Sequence, residues 1–246
     1  MRRPDRIGED SPDQDLPPSM RHALRNCNPV ASDGMGRLTE IVFADGALPG
    51  SIKLLFLAGI AATRLEPKLT SEFLASALRR GLEPQAALGA ATTLLVSRGI
   101  PPCAVLIDAL RQCLNDQVSL DNTEPEPEPV LSSPHEALKY AETAYGLVPP
   151  HIDFMASELP EALEGFHLLR LGGLRRSSFS PMLTELLLVA VNTALMESEF
   201  VERHAGEART EGASEKELAE AALTAIPLAG LAAWRRGAEG ILRSRS

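Results

Sequence analysis

The sequence predicts an all-α protein built from two tandem helical units, and three observations predict it. Apolar residues recur at helical spacing through most of the chain, while strand-like alternation is scarce. Helix-start and helix-stop residues bracket those stripes. The chain also resembles itself when shifted by 131 residues: Glu66 falls on Glu197, Ala77 on Ala208, Gly81 on Gly212 and Gly99 on Gly230. Pairing Ala with Ala carries little in so Ala-rich a chain. Two glycines that end helices in both copies have a backbone reason to coincide, because the left-handed residue closing a helix strains glycine least.

The elements follow in order. Residues 1–36 are rich in Pro, Asp, Arg and Asn with little apolar periodicity, and read as a flexible tail that adds little to a core. A first unit, 37–118, holds helices over 37–43, 49–64, 68–80, 84–98 and 101–115. Residues 119–134 form a linker containing Glu124-Pro125-Glu126-Pro127-Glu128-Pro129, where like charges repel and prolines favour extended backbone. A second unit, 135–246, holds helices over 136–145, 151–158, 160–172, 181–196, 199–211, 215–226 and 228–242. Ser180 with Pro181 is a cap followed by a proline at the first helical position. Gly212 suits the residue that closes a helix, and Ser214 with Glu217 is a capping box that opens the next.

Composition bounds the partners. A chain of 246 residues buries one large core or two modest ones. A formal net charge of -9 and a pI near 5.1 have the wrong sign for attracting nucleic acid or anionic lipid. The start, Met1 to Asp15, has no apolar stretch fit for a signal peptide. The longest apolar runs, Leu54–Ala62 and Leu186–Val191, fall far short of the ~18 residues of a membrane span, so a cytoplasmic location is expected. Cys27, Cys103 and Cys113 show no pairing pattern. The last two lie ten positions apart on one predicted helix, too distant to bond each other, and free structural thiols are expected. His135, His151, His167 and His204 lack ligand spacing, and Gly172-Gly173 follows a helix with no strand before it, so neither a metal nor a phosphate loop is predicted.

Chemistry concentrates in the second unit. Glu185 stands in Met182–Val191, a stretch apolar on nearly every side. Buried there, its carboxylate must be ion-paired, hydrogen-bonded or protonated; alternatively it is an exposed first-turn acid favoured by the helix dipole. Asn192 lies two turns along the same stripe and supplies a polar neighbour. His204 borders the apolar face of a charged helix, four residues after Phe200 and four before Ala208, and reads either as a satisfied core or interface histidine or as half of a site that needs a partner. The acidic run Glu197 to Glu207 reads mainly as a solvated face. Glu197, matched by Glu66, also reads as a first-turn acid stabilised by the dipole.

Glu185, then Glu197-Ser198-Glu199-Phe200, then His204, Ala208, Gly212, Ala213 and the helix from Glu215 to Ala222 resemble the core signature of the carboxymuconolactone decarboxylase and alkylhydroperoxidase D family. In that signature a Glu precedes a Cys-x-x-Cys pair and a His, followed by Ala-x-x-x-Gly-Ala. The spacing of 19 from Glu185 to His204 suits the redox branch. Gly146-Leu147-Val148-Pro149-Pro150 resembles the family's lead-in, and Ala229-Gly230-Leu231-Ala232 its closing turn; the likeness covers about residues 140 to 243. The resemblance implies two tandem alkylhydroperoxidase D-like units. Glu197 and Phe200 occupy the positions of the two cysteines, so dithiol peroxidase chemistry cannot run there, and neither Cys103 nor Cys113 lies at a redox position.

Decarboxylase members likewise lack the cysteines and use acid–base groups without metal or organic cofactor. The resemblance therefore implies a cofactor-free lyase or isomerase acting on a small organic acid or lactone-like substrate. Glu185 and His204 would exchange a proton with it, Glu197 would orient the imidazole, and Phe200 and Asn192 would contact the substrate. The alternative is a catalytically silent member serving as an oligomeric scaffold, regulator or ligand-binding protein. In the first unit Leu54 and Phe73 replace Glu185 and His204, which makes that half structural. Family members assemble as trimers or hexamers of single units, so the resemblance implies a trimer of two-unit chains, or a smaller assembly if the first half has diverged too far. Its physical motive is that the all-apolar helix 181–196 needs more cover than one unit supplies.

Overall fold

The computed structural model describes residues 16–115, 133–145, 148–175 and 179–245. Among them the chain is all-α, with no strand. The first half runs α1 (Pro18–Arg25), α2 (Pro29–Phe43), α3 (Gly50–Thr63), α4 (Pro67–Arg79), α5 (Pro84–Arg98) and α6 (Ile100–Cys113). The second runs α7 (Pro134–Tyr145), α8 (Pro150–Glu158), a 3₁₀ turn at Pro160–Ala162, α9 (Leu163–Arg170), a π-helical turn at Leu171–Arg175, α10 (Pro181–Ala194), α11 (Ser198–Thr210), α12 (Glu215–Leu223) and α13 (Ile226–Arg243). Most helices start at a proline, whose missing N–H is not needed in a first turn. The predicted caps are present: Ser180 accepts from Leu183 N, and Ser214 and Glu217 form the reciprocal box. The predicted helix 160–172 is instead broken into a 3₁₀ turn, an α-helix and a π turn.

The tail expectation is corrected over residues 16–36. Two helices stand there, α2 capped by Asn28, which accepts from Val30 N at 2.9 Å. Leu16, Val42 and Phe43 are buried in the main core, with Met20 and Leu24 packed against it. These helices bury only a narrow edge, so their apolar stripe is too sparse to stand out in composition. Residues 1–15 and most of the predicted linker lie outside the described residues.

The 131-residue offset reappears in the backbone. Leu65 (φ 57°) and Met196 (φ 61°) are both left-handed, as are Gly81 with Gly212 and Gly99 with Gly230. Glu66 N–H donates to Ala61 O and Glu197 N–H to Asn192 O, each at 3.0 Å. Pro18 and Pro29, which open α1 and α2, fall on Pro149 beside the start of α8 and on Pro160 at the 3₁₀ turn.

Both halves feed one main core, in which α3 and α10 are the central helices. Leu54–Ala62 on α3 and Leu186–Ala194 on α10 are buried without interruption. The cover that the sequence reading assigned to neighbouring chains is thus supplied within the chain for α10. A smaller cluster, Ala137, Ile152 and Leu163, holds α7, α8 and α9 together.

A buried ion pair ties the halves. Lys53 Nζ on α3 donates to Glu220 Oε2 on α12 at 3.2 Å and to Ile41 O at 2.9 Å, with Lys53 only 1% exposed. Glu220 also accepts from Ala47 N and Leu48 N. Two backbone donors and one ammonium satisfy the carboxylate, which is what a charge in that position requires.

Candidate functional site

Glu185 lies in the second turn of α10 and His204 midway along α11. Their side chains meet, with His204 Nδ1 and Glu185 Oε2 at 2.7 Å, and each is 16% exposed. An Nδ1–H donated to the carboxylate fixes the tautomer and leaves Nε2 as the ring's acceptor. Of the two readings for each residue, the paired one is realised: Glu185 is no free first-turn acid, and the imidazole has a carboxylate partner.

The pair stands on the wall of a cavity of about 510 Å³, within the usual range for small-molecule sites. Leu188, Asn192 and Phe200 also line it, so the two expected substrate contacts are at the cavity; Phe200, 52% exposed, borders the space and does not fill it. No cysteine is among the lining residues. The free thiols sit elsewhere: Cys27 is exposed, and burial pushes Cys103 and Cys113 on α6 above the ordinary thiol range, the opposite of a reactive thiolate.

Two sequence expectations are corrected here. Glu197 does not orient the imidazole by direct contact; its carboxylate pairs with Arg98, Oε1 accepting from Nη1 at 3.2 Å and Oε2 from Nη2. Nor is the first half purely structural, since Val96, Ser97 and Arg98 at the end of α5 form part of the cavity wall. Arg98 Nη2 also donates to Asn192 Oδ1, while Asn192 Nδ2 donates to Leu188 O at 2.6 Å.

Arg98, Arg170 and Arg203 bring three guanidinium groups to the cavity, against the carboxylates of Glu185 and Glu207. Sequence reasoning missed all three arginines. Arg98 lies outside the likeness, and its one signal is its place in the last turn of a helix closed by Gly99. Arg170 and Leu174 reach the cavity because the π turn closes down on α5. A Cβ on Gly173 would stand 2.0 Å from Val96 Cγ2, so glycine is what permits this approach. That is the role of Gly173, whereas a Cβ on Gly172 would meet no atom within 4 Å.

Outside the cavity, His167 on α9 is fully buried beside the Tyr140 and Phe166 rings, and neither ring nitrogen has a hydrogen-bond partner. Burial first, then Arg170, holds its pKa below the ordinary imidazole value. Among the described residues no group of three His, Cys, Asp or Glu side chains is placed to hold a metal ion, and no helix is long and apolar enough to cross a membrane.

No curated protein matches the chain. The model of the carboxymuconolactone decarboxylase family matches residues 160–242, a span that contains Glu185, Asn192, Glu197, Phe200 and His204. Over residues 160–242 the chain is thus similar to the carboxymuconolactone decarboxylase family.

Proposed function

We propose that the chain is a cofactor-free acid–base enzyme, a lyase or isomerase acting on a small organic acid or lactone, and that it does not reduce peroxides. One observation carries the reading: a carboxylate and an imidazole at 2.7 Å, each mostly withdrawn from water, on the wall of an open cavity. His204 Nε2 takes a proton from a carbon next to a carbonyl. The Nδ1–H bond to Glu185 stabilises the imidazolium that results, and the same proton returns to another substrate atom. Arg203 on the cavity wall favours an anionic substrate, since a guanidinium matches a carboxylate in charge and shape, while Arg98 is committed to Glu197 and Asn192. Leu188 and Phe200 supply apolar wall.

The same reading includes two diverged copies of one unit, 131 residues apart, supported by the repeated left-handed residues and helix-end hydrogen bonds. It also includes self-association as a trimer. Ile100 and Leu231, which fall at equivalent positions, are 73% and 67% exposed and offer apolar surface for it. A light-scattering mass of one chain would remove the trimer.

The test of activity is solvent exchange. A panel of small keto acids, unsaturated dicarboxylates and their lactones is incubated with the protein in D₂O and followed by proton NMR. Deuterium incorporation or isomerisation in at least one compound, lost in His204→Asn, is the expected result. A panel that neither exchanges nor binds leaves the silent-member alternative.

A further inference from the structure

We propose that Arg98, supplied by the first half, is a positioning residue for the Glu185–His204 pair, acting through the corner that joins α10 to α11; its catalytic meaning rests on the reading above. The corner spans Leu195 to Glu197, with Met196 in the left-handed region, where a non-glycine residue is strained. One guanidinium grips both of its sides. It holds the Asn192 side chain in the last turn of α10 and both carboxylate oxygens of Glu197, the residue that immediately precedes α11.

The grip acts at a distance. Asn192 stands seven residues after Glu185 on α10, and His204 seven after Glu197 on α11. Seven residues are two helical turns, about 10 Å. A tilt of about 10° between the helices at the corner therefore displaces His204 from Glu185 by about 2 Å, enough to break their hydrogen bond.

The first half provides the control. Its corner between α3 and α4 has the same backbone: Leu65 is left-handed, Glu66 has φ -106° and ψ 76° against -91° and 71° for Glu197, and the closing bond is again 3.0 Å. Yet Ala61 stands in place of Asn192, Ala229 in place of Arg98, and Glu66 is exposed to solvent. The corner thus forms without a clasp. A purely structural clasp would be needed in both copies, whereas it accompanies only the copy that carries the acid and the imidazole.

The test reads the pair without any substrate. Full-length protein labelled with ¹⁵N-histidine is compared with Arg98→Met, Arg98→Lys and Glu197→Gln by long-range ¹H–¹⁵N spectra, which report the tautomer and hydrogen bonding of the His204 ring. The parent is expected to show one Nδ1–H tautomer. Arg98→Met should convert it to a mixture while the melting midpoint falls by less than about 3 °C; Arg98→Lys should restore part of the parent spectrum, and Glu197→Gln should act like Arg98→Met but more weakly. A His204 spectrum unchanged in Arg98→Met overturns the proposal, as does a change that Arg98→Lys leaves wholly unrestored. Should Arg98→Met fail to fold, Glu197→Gln decides in the same way. A parent protein that turns over nothing would sink the enzymatic reading and leave this spectrum as it is.

Discussion

The cavity around His204 and the place 131 residues earlier use the same backbone for opposite ends. At the later position Glu185, Asn192 and His204 line open space. At the earlier one Leu54, Ala61 and Phe73 replace them, and all three are 0% exposed. The cavity rim is closed there too, because Leu174 gives way to the buried Phe43 and Glu207 to the buried Ser76. The difference shows how little a helical frame commits its interior to chemistry. Three polar-to-apolar differences on one pair of helices separate a lined cavity from packed core, and the first half lends Arg98 to the wall of that cavity.

The largest effect expected from breaking this contrast is on turnover. Replacing Glu185 by Gln or His204 by Asn should lower exchange of the best panel compound by about 10²- to 10⁴-fold, the usual contribution of a positioned acid–base group. Binding of the compound should change far less, because its anchoring contacts remain. Loss of binding in parallel with exchange would recast the pair as a ligand clamp.

Stability should show the inverse pattern. Phe73→Ala empties a fully buried site and should cost about 3–5 kcal/mol. His204→Ala at the equivalent position borders a cavity already open and should cost less than about 1.5 kcal/mol. Urea midpoints of the two variants measure the contrast directly. Equal costs would mean that the cavity is held shut by packing in solution, and the comparison would fail.

The Lys53–Glu220 pair is a second asymmetry, since Thr184 and Gly89 occupy the equivalent positions. Burial pushes the Glu220 carboxyl up, but the Leu48 and Ala47 amides and the Lys53 ammonium outweigh it and leave it below the usual carboxylate range. A lowered folded-state pKa gives stability that is present above the unfolded value of about 4.3 and lost as pH falls through the folded value. The parent should therefore lose stability more steeply than Glu220→Gln as pH falls below about 4.3. At neutral pH, Glu220→Ala strands a buried ammonium and should cost about 3 kcal/mol. A pH profile identical in parent and Glu220→Gln would refute the linkage.

Much of this was legible in the sequence, and the failures have identifiable causes. Helix identity followed from apolar spacing, and helix ends from Ser180, Gly212 and the Ser214 box, because each acts on its own neighbours. The acid–imidazole pair is legible only through the resemblance, and the fold turns its 19-residue spacing into a contact. Arg98 was invisible because it reaches Glu197 across 99 positions, from a helix whose local pattern gives no hint of it. The resemblance therefore directs Glu197 to His204, because the partner it meets lies in a segment the likeness does not cover. The helices α1 and α2 were lost for a different reason: their polar composition hides a narrow buried edge that only the rest of the core defines.

The smallest predicted effect tests the repeat itself. Gly81 (φ 83°) and Gly212 (φ 95°) close α4 and α11, and a Cβ added at either would meet no atom within 4 Å. Substitution by alanine therefore introduces no clash, and its cost is conformational alone. Forcing alanine into the left-handed region costs about 1–2 kcal/mol, and the stiffer unfolded chain returns about 0.4–1 kcal/mol of that. Each variant should thus lose about 1 kcal/mol, and the two losses should agree within about 0.5 kcal/mol and add in the double variant, as independent sites do. Thermal midpoints of Gly81→Ala, Gly212→Ala and the pair decide it. A negligible loss at one site beside a loss above about 2 kcal/mol at the other would show that one turn relaxes where its counterpart is held, and that the two corners share a shape without sharing their energetics.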